Sequence, residues 1–298
     1  MTLPEYTEKL ISVLEKLNVP EKERLYRHEQ LEKAEKLKTK NMGGTSDRYY
    51  QLAHEIKSLD FLSHFGSPQL SSDFGHKAGA DIVFGEYQIE CVCASPGSKT
   101  AENGFDKLCT INNLGELVIY NEREDIILTR LTSVLKEKRD FFIKHCNEGS
   151  MSKDKPYIIF IGLGSLAIEF SAEENGMALL GILFGKGRPT ITIDASGNII
   201  GTGYEHRTEI KKQSFDKTVD LPCNYFLDEE YRCVSGIIFS EEWYEDYDLQ
   251  NTWLFINPFS DNPINTDDFP GLIYWNLDEY GNYRAYGNEG LTDTSRGF

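Results

Sequence analysis

The sequence predicts an α+β fold in which an α/β core, a mixed sheet flanked by helices, follows a helical segment and precedes a strand-rich region. Three observations support this prediction. Apolar residues recur at helical spacing near the N-terminus and again over residues 122–146. Between these helices, two short apolar runs flank a Gly-Glu pair, as in a hairpin. The continuous apolar run Tyr157–Gly162 is typical of a strand that is buried on both faces.

The N-terminal segment, residues 1–45, is predicted to be helical. Tyr6, Leu10 and Leu14 recur at helical spacing, and Pro20 interrupts the pattern. The following stretch, Glu21–Lys40, contains seven basic and five acidic residues. We interpret this stretch as a solvated helix or an arm that packs on a partner. Gly and Asn residues at 41–44 then end the helix.

The predicted core spans residues 46–162. It opens with a helix over residues 46–65, for which Ser46 is placed as the N-cap. Two short strands, a long helix and a buried strand complete it. These elements are Gly79–Phe84, the Gly85-Glu86 turn, Tyr87–Cys93, Glu122–Cys146 and Tyr157–Gly162.

The remaining residues, 163–298, are predicted to complete or extend the core as a strand-rich region. Gly181, Gly185 and Gly187 lie close together but do not follow the spacing of a phosphate-binding loop, so we interpret them as turn residues. The candidate strands are Thr190–Ile193, Ile199–Thr202, Val234–Phe239 and Trp253–Ile256.

Composition limits the class of protein. The chain has 298 residues, of which 40% are hydrophobic and 27% are charged, so it can bury one sizeable core or two modest ones. No apolar run approaches the roughly 18 residues of a membrane-spanning helix. Residues 1–5 have neither a basic start nor an apolar region, so no signal peptide is expected.

Cysteine usage predicts a reducing, cytoplasmic environment. The six cysteines include no CxxC pair, so a structural zinc site is not expected. Cys91 and Cys93 flank one residue of a predicted strand and should point to the same face, which is poor geometry for a mutual disulfide. The six are Cys91, Cys93, Cys109, Cys146, Cys223 and Cys233.

The charge is strongly acidic and unevenly distributed. The formal net charge is −17, and residues 241–298 contain twelve acidic residues against Arg284 and Arg296. Nucleic-acid-binding proteins usually present a basic surface. A solvated acidic surface is the simplest interpretation of the C-terminal third. Imitation of nucleic acid, or docking on a basic partner, is the alternative.

Two carboxylates in the predicted hairpin are the candidate ligands for a cation. Asp81 opens the first strand and Glu90 lies within the second, and neighbouring strands are only about 4.8 Å apart. Carboxylates held this close repel each other unless a cation lies between them. Mg²⁺ (or Mn²⁺) is a suitable cation because it prefers oxygen ligands. The alternative for Glu90, which has apolar neighbours, is a salt bridge inside an ordinary sheet.

Lys138 is the third residue of interest. At about 100° per residue from Ile127, it lies at about 20°, in the middle of the helix's apolar arc. A lysine on a core-facing surface is costly unless its ammonium group reaches a carboxylate or a reacting anion. The alternative is that the side chain extends along the core to solvent.

This order of elements and residues resembles the PD-(D/E)XK nuclease superfamily, which has a restriction-endonuclease-like core. The resemblance implies that Asp81 and Glu90 bind the metal, with help from the Cys91 carbonyl and from Glu55. Val92 occupies the position of the motif lysine, so a displaced lysine, Lys138, is expected in its place. The segments that carry the resemblance are Tyr49-Tyr50 with Glu55, Ala80-Asp81-Ile82, Ile89-Glu90-Cys91-Val92 and Arg130–Lys138.

The resemblance implies a Mg²⁺- or Mn²⁺-dependent nuclease that hydrolyses DNA phosphodiesters, with Asp81, Glu90 and Lys138 as catalytic residues. The alternative is a catalytically inactive acidic binding protein on the same fold, such as an inhibitor, an immunity or anti-defence protein, or a nucleic-acid mimic. DNA is the expected partner under the first hypothesis, and a basic protein is expected under the second. Neither hypothesis requires a membrane.

Overall fold

The computed structural model contains an eight-stranded mixed sheet with helices packed against both of its faces, which confirms the predicted α+β class. It describes residues 2–36, 47–71, 79–94, 109–111, 117–119, 122–163, 172–214, 217–240, 246–277 and 283–287. The helices are α1 Leu3–Lys16, α2 Glu21–Lys36, α3 Asp47–Ser63, α4 Glu122–Asn147 and α5 Ala172–Phe184.

The sheet combines antiparallel hairpins with a parallel centre. Its order is β1-β2-β3-β6-β11-β12-β13-β14, and β3, β6 and β11 run parallel. These strands are β1 Gln69–Leu70, β2 Ile82–Phe84, β3 Tyr87–Cys93, β6 Tyr157–Gly162, β11 Gly236–Ser240, β12 Thr252–Ile256, β13 Ile273–Leu277 and β14 Tyr283–Tyr286. Three separate pairs are β4 Cys109–Ile111 with β5 Leu117–Ile119, β7 Lys186–Ile193 with β8 Ile199–His206, and β9 Glu209–Ser214 with β10 Lys217–Pro222.

Alternating side chains of β6 divide the interior into two cores. All six residues of β6 are buried, as the apolar run predicts. Ile159 and Ile161 pack with α4 and α5 on one face, whereas Ile158 and Phe160 pack with α1, α2 and α3 on the other. Because side chains alternate along a strand, a continuous apolar run fills both cores at once.

The N-terminal helices belong to the second core. A capping box between Thr2 and Glu5 starts α1, and Tyr6, Leu10 and Leu14 are buried, as their spacing predicts. In α2 the buried set includes Leu31 but also the charged residue Arg27. The predicted N-cap Ser46 lies outside the described residues.

Several elements differ from the prediction. The first hairpin strand begins at Ile82 rather than at Gly79. Helix α5 was not predicted, and it contains Gly181, which we had interpreted as a turn residue. A Cβ atom at Gly181 would lie 3.2 Å from the Lys186 carbonyl, so glycine permits the start of β7 to approach this helix closely. Gly185, with φ of +69°, does follow the helix end as a turn residue.

The acidic C-terminal third supplies the sheet edge opposite β1. Strands β12, β13 and β14 lie on the far side of β11 from β3. The loop between β12 and β13 nevertheless returns to the hairpin, where the Tyr87 hydroxyl donates to Asp268. At the other end of the segment, Asp246 pairs with Lys9 at 2.8 Å.

Two of the compositional predictions concern membrane spans and cysteines. No helix within the described residues is long and apolar enough to span a membrane. The five cysteines whose side chains are described form no disulfide among the described residues, and Cys91 and Cys93 are two of them.

Gly236 should be intolerant of substitution because it lies where β11 meets β12. A Cβ atom there would lie 2.7 Å from the Phe255 carbonyl oxygen and 2.6 Å from Ile264 Cδ1. We expect Gly236→Ala to lower the free energy of unfolding by roughly 1–3 kcal/mol, measured by urea denaturation. Gly201→Ala is the control, since its nearest contacts would be at 3.8 Å. Equal stability of the two variants would contradict this prediction.

Candidate functional site

Asp81 and Glu90 face each other across the β2–β3 hairpin. Ile82 pairs with Ile89, so the register places Asp81, one residue before β2, opposite Glu90. The backbone N–H of Cys91 donates to Asp81 Oδ2 at 2.8 Å. This bond fixes the Asp81 carboxylate against β3. The predicted placement of both residues on neighbouring antiparallel segments is therefore observed.

Lys138 reaches Glu90 from α4. Its Nζ donates to Glu90 Oε1 at 2.7 Å, with the Glu90 side chain 5% exposed and that of Lys138 20% exposed. The Tyr157 hydroxyl donates to the Lys138 carbonyl at 3.1 Å and thereby ties α4 to β6. The ammonium group thus points inward, as the helical register predicts. Val92, at the position of the motif lysine, packs against the apolar core on the α4 side of the sheet.

Glu55 on α3 approaches the site but is bound by neighbouring side chains. Arg27 Nη1 donates to its Oε2 at 2.5 Å, and Gln51 Nε2 donates to its Oε1 at 3.1 Å. Gln51 Nε2 also donates to the Cys91 carbonyl at 3.0 Å. The two auxiliary oxygen ligands that the resemblance implies, Glu55 and the Cys91 carbonyl, therefore both have partners within the protein.

The carboxylates influence one another electrostatically. Burial, followed by the charges of Glu90 and Glu55, raises the pKa of Asp81 well above its usual value, while Lys138 opposes this shift. Burial also raises the pKa of Glu90, against the opposing effect of Lys138. Asp81 is partly exposed as a residue, whereas Glu90 is buried. The site therefore opens to solvent at Asp81.

The charges in this cluster do not balance. Its carboxylates are Asp81, Glu90, Glu55 and Glu23, the last of which Arg27 also contacts at 2.9 Å. Its cations are Lys138 and Arg27. With every group ionised, the cluster has two excess negative charges. Protons on the carboxylates or a divalent cation would remove this excess.

The donor set suits a hard divalent cation. Glu90 Oε2 is buried and makes no hydrogen bond within the described part of the chain, although the Asp81 backbone lies close enough to favour its charged form. Among the described residues, no three His, Cys, Asp or Glu side chains are grouped so that they could hold a metal ion. Mg²⁺ commonly binds through one or two carboxylates and retains several waters. Asp81 and Glu90 fit this pattern.

Sequence reasoning missed two residues of the site, Gln51 and Arg27. Gln51 has a recognisable signal, because it lies four residues before Glu55 and therefore one helical turn away on the same face. Arg27 has a weaker signal, since its helix is rich in charge of both signs and was predicted to be solvated. Its burial is a consequence of packing between α2 and α3, which helical periodicity alone does not specify.

The site cannot be interpreted by homology. Comparison of the chain with protein-family models, with curated proteins and with solved structures finds no match. The resemblance to the PD-(D/E)XK superfamily therefore stays a prediction based on residues and element order. Any function must be argued from the chemistry of the hairpin, α3 and α4.

Proposed function

We propose that this chain is a metal-dependent nuclease-like protein that hydrolyses DNA phosphodiesters at Asp81, Glu90 and Lys138. The observation that carries the proposal is the convergence of these three side chains, with one buried oxygen of Glu90 that accepts no hydrogen bond from the described residues. The element order supports it. A helix, the β2–β3 hairpin, a second helix and a strand parallel to β3 occur in this order, which is the order expected from the superfamily that the sequence resembles, with the β4–β5 pair between the hairpin and the second helix.

In this proposal Asp81 and Glu90 hold Mg²⁺ or Mn²⁺. The bound ion would supply an activated water and would offset the charge that develops on the phosphate. Substrate would approach from the side of Asp81, because this residue is partly exposed whereas Glu90 is buried. Lys138 favours the ionised form of Glu90 through their direct contact and places a positive charge beside the site.

The acidic residues of segment 241–298 bear on whether DNA could be the substrate. A phosphate backbone is repelled by carboxylates, so acidity close to the site would oppose binding. Strands β12, β13 and β14 lie across β6 and β11 from the β2–β3 hairpin. These strands contain no Asp or Glu, and the described acidic residues of the segment lie in its loops, where Asp268 contacts the hairpin residue Tyr87. The position of the strands therefore gives the DNA hypothesis no support.

A second candidate is a catalytically inactive acidic binding protein with a basic protein partner. The observation that favours it is that other side chains of the protein already bind these carboxylates. Lys138 occupies one Glu90 oxygen, and Arg27 and Gln51 occupy both oxygens of Glu55. Buried ion pairs of this kind also occur as purely structural features. Under this hypothesis the cluster holds the hairpin to α3 and α4 and performs no reaction.

Nicking of supercoiled DNA in Mg²⁺ or Mn²⁺ separates the two candidates. We expect metal-dependent cleavage that EDTA abolishes and that Glu90→Gln lowers by roughly 100-fold or more. Glu86→Gln is the matched control, because Glu86 is exposed in the turn of the same hairpin. A folded protein that cleaves nothing in either metal, but binds a basic protein in a salt-dependent manner, would favour the second candidate.

A further inference from the structure

Arg27 connects the N-terminal helices to the candidate metal site. It lies in α2, and its side chain is only 6% exposed. The guanidinium group donates from Nε to Glu23 at 2.9 Å and from Nη1 to Glu55 at 2.5 Å. A buried guanidinium that contacts two carboxylates is a fixed counter-ion for both of them. Arg27 is connected to the hairpin through Glu55, because Gln51 joins Glu55 to the Cys91 carbonyl.

A metal ion at Asp81 and Glu90 would compete with Arg27 for Glu55. Gln51 Nε2 donates to Glu55 Oε1 at 3.1 Å and to the Cys91 carbonyl at 3.0 Å, which places Glu55 beside the hairpin. The charge of Glu55 accordingly raises the pKa of both hairpin carboxylates. Both of its oxygens are nevertheless hydrogen-bonded, one to Arg27 and the other to Gln51. A carboxylate bound to a guanidinium is a weaker ligand for a second cation, because the two positive charges repel each other.

We infer that Arg27 withholds Glu55 from the metal centre and thereby sets its affinity for divalent cations. The inference rests on the cation site of the proposed function and assigns a role to the N-terminal helices. Arg27 is a positioning residue in this scheme, since it contacts Glu55 and not the metal ligands Asp81 and Glu90. By linkage, metal binding and the Arg27–Glu55 contact weaken each other to the same extent.

Titration calorimetry with MnCl₂ on the full-length protein tests the inference. We expect Arg27→Met to bind Mn²⁺ about tenfold more tightly than the wild type, because Glu55 becomes available and one competing charge is lost. Lys33→Met is the matched control. It removes one positive charge from the same helix, but Lys33 is exposed, pairs with the exposed Glu29 and should leave the affinity unchanged. Adding Glu55→Gln to Arg27→Met should remove the gain.

The outcomes separate this inference from the proposed function. If the wild type binds Mn²⁺ and Arg27→Met binds it equally or more weakly, the inference is wrong and the proposed metal site stands. If neither protein binds Mn²⁺, the inference and the proposed metal site are both wrong. Should Arg27→Met fail to fold, Arg27→Lys takes its place. A lysine keeps the charge but cannot contact Glu23 and Glu55 as a fork, so its gain should be intermediate, and no gain overturns the inference.

Discussion

Replacing Lys138 with methionine should lower the free energy of unfolding by roughly 3–5 kcal/mol at neutral pH, the cost of breaking a buried ion pair from one side. Methionine fills a similar volume but leaves Glu90 without its cation. Glu90 would then remain buried near Asp81 and Glu55, with neither carboxylate oxygen paired to a positive charge. Urea denaturation measures the loss.

The pH dependence of this loss identifies its cause. The folded-state pKa of Glu90 is already raised by burial against the effect of Lys138, and removing Lys138 raises it further. An ionised Glu90 is therefore penalised most at neutral pH, and the penalty disappears as acid protonates it. Lys136→Met, at an exposed position on the same helix, should cost less than about 0.5 kcal/mol. A Lys138→Met loss that does not change between pH 7 and pH 4 contradicts this account.

Replacing Asp81 with asparagine should stabilise the metal-free protein by about 1–3 kcal/mol at neutral pH. Asparagine can still accept the hydrogen bond from the Cys91 N–H, but it removes a charge that burial, Glu90 and Glu55 disfavour. The same change should abolish the rise in melting temperature on addition of Mn²⁺, because one of the two proposed ligands is lost. Thermal unfolding with and without MnCl₂ tests both effects.

The gain from Asp81→Asn should depend on pH in a defined direction. The folded-state pKa of Asp81 lies well above the unfolded value of 3.8. The wild type is therefore penalised as pH rises through 3.8, and the penalty reaches its full size above the folded pKa. The variant and the wild type should be equally stable in strong acid. Asp154→Asn, at an exposed loop position, should show no such trend. An Asp81→Asn protein less stable than wild type at every pH would disprove the prediction.

Strong periodic patterns predicted the elements that build the site. The β3 and β6 strands have the predicted bounds, and α4 differs by one residue at its end. The contact between Lys138 and Glu90 also follows from the sequence, because a charged residue inside an apolar pattern requires a partner. Local pattern and tertiary packing agree in this part of the chain, which is why a prediction from spacing succeeds.

The sequence was least informative where tertiary contacts override local pattern. Arg27 is buried although its helix has almost no apolar face, because Glu23 and Glu55 compensate its charge. The strand Ile273–Leu277 was missed because each of its residues is only half-buried and its pairing depends on distant segments. Helix α5 was missed because Gly181 resembles a turn residue in the sequence. In the structure this glycine lies inside the helix, where a Cβ atom would crowd the Lys186 carbonyl.

The central position of β6 has a consequence for synthesis of the chain. One edge of β6 pairs with β3, which the ribosome has already made, but the other pairs with β11, which begins only at Gly236. At about 5–20 residues per second, this apolar edge waits on the order of 4–15 s for its neighbour. An open strand edge of this composition can pair with other chains. A fragment ending at Gly162 would keep that edge open permanently, so the proposed catalytic core should require the chain through β11 to remain soluble.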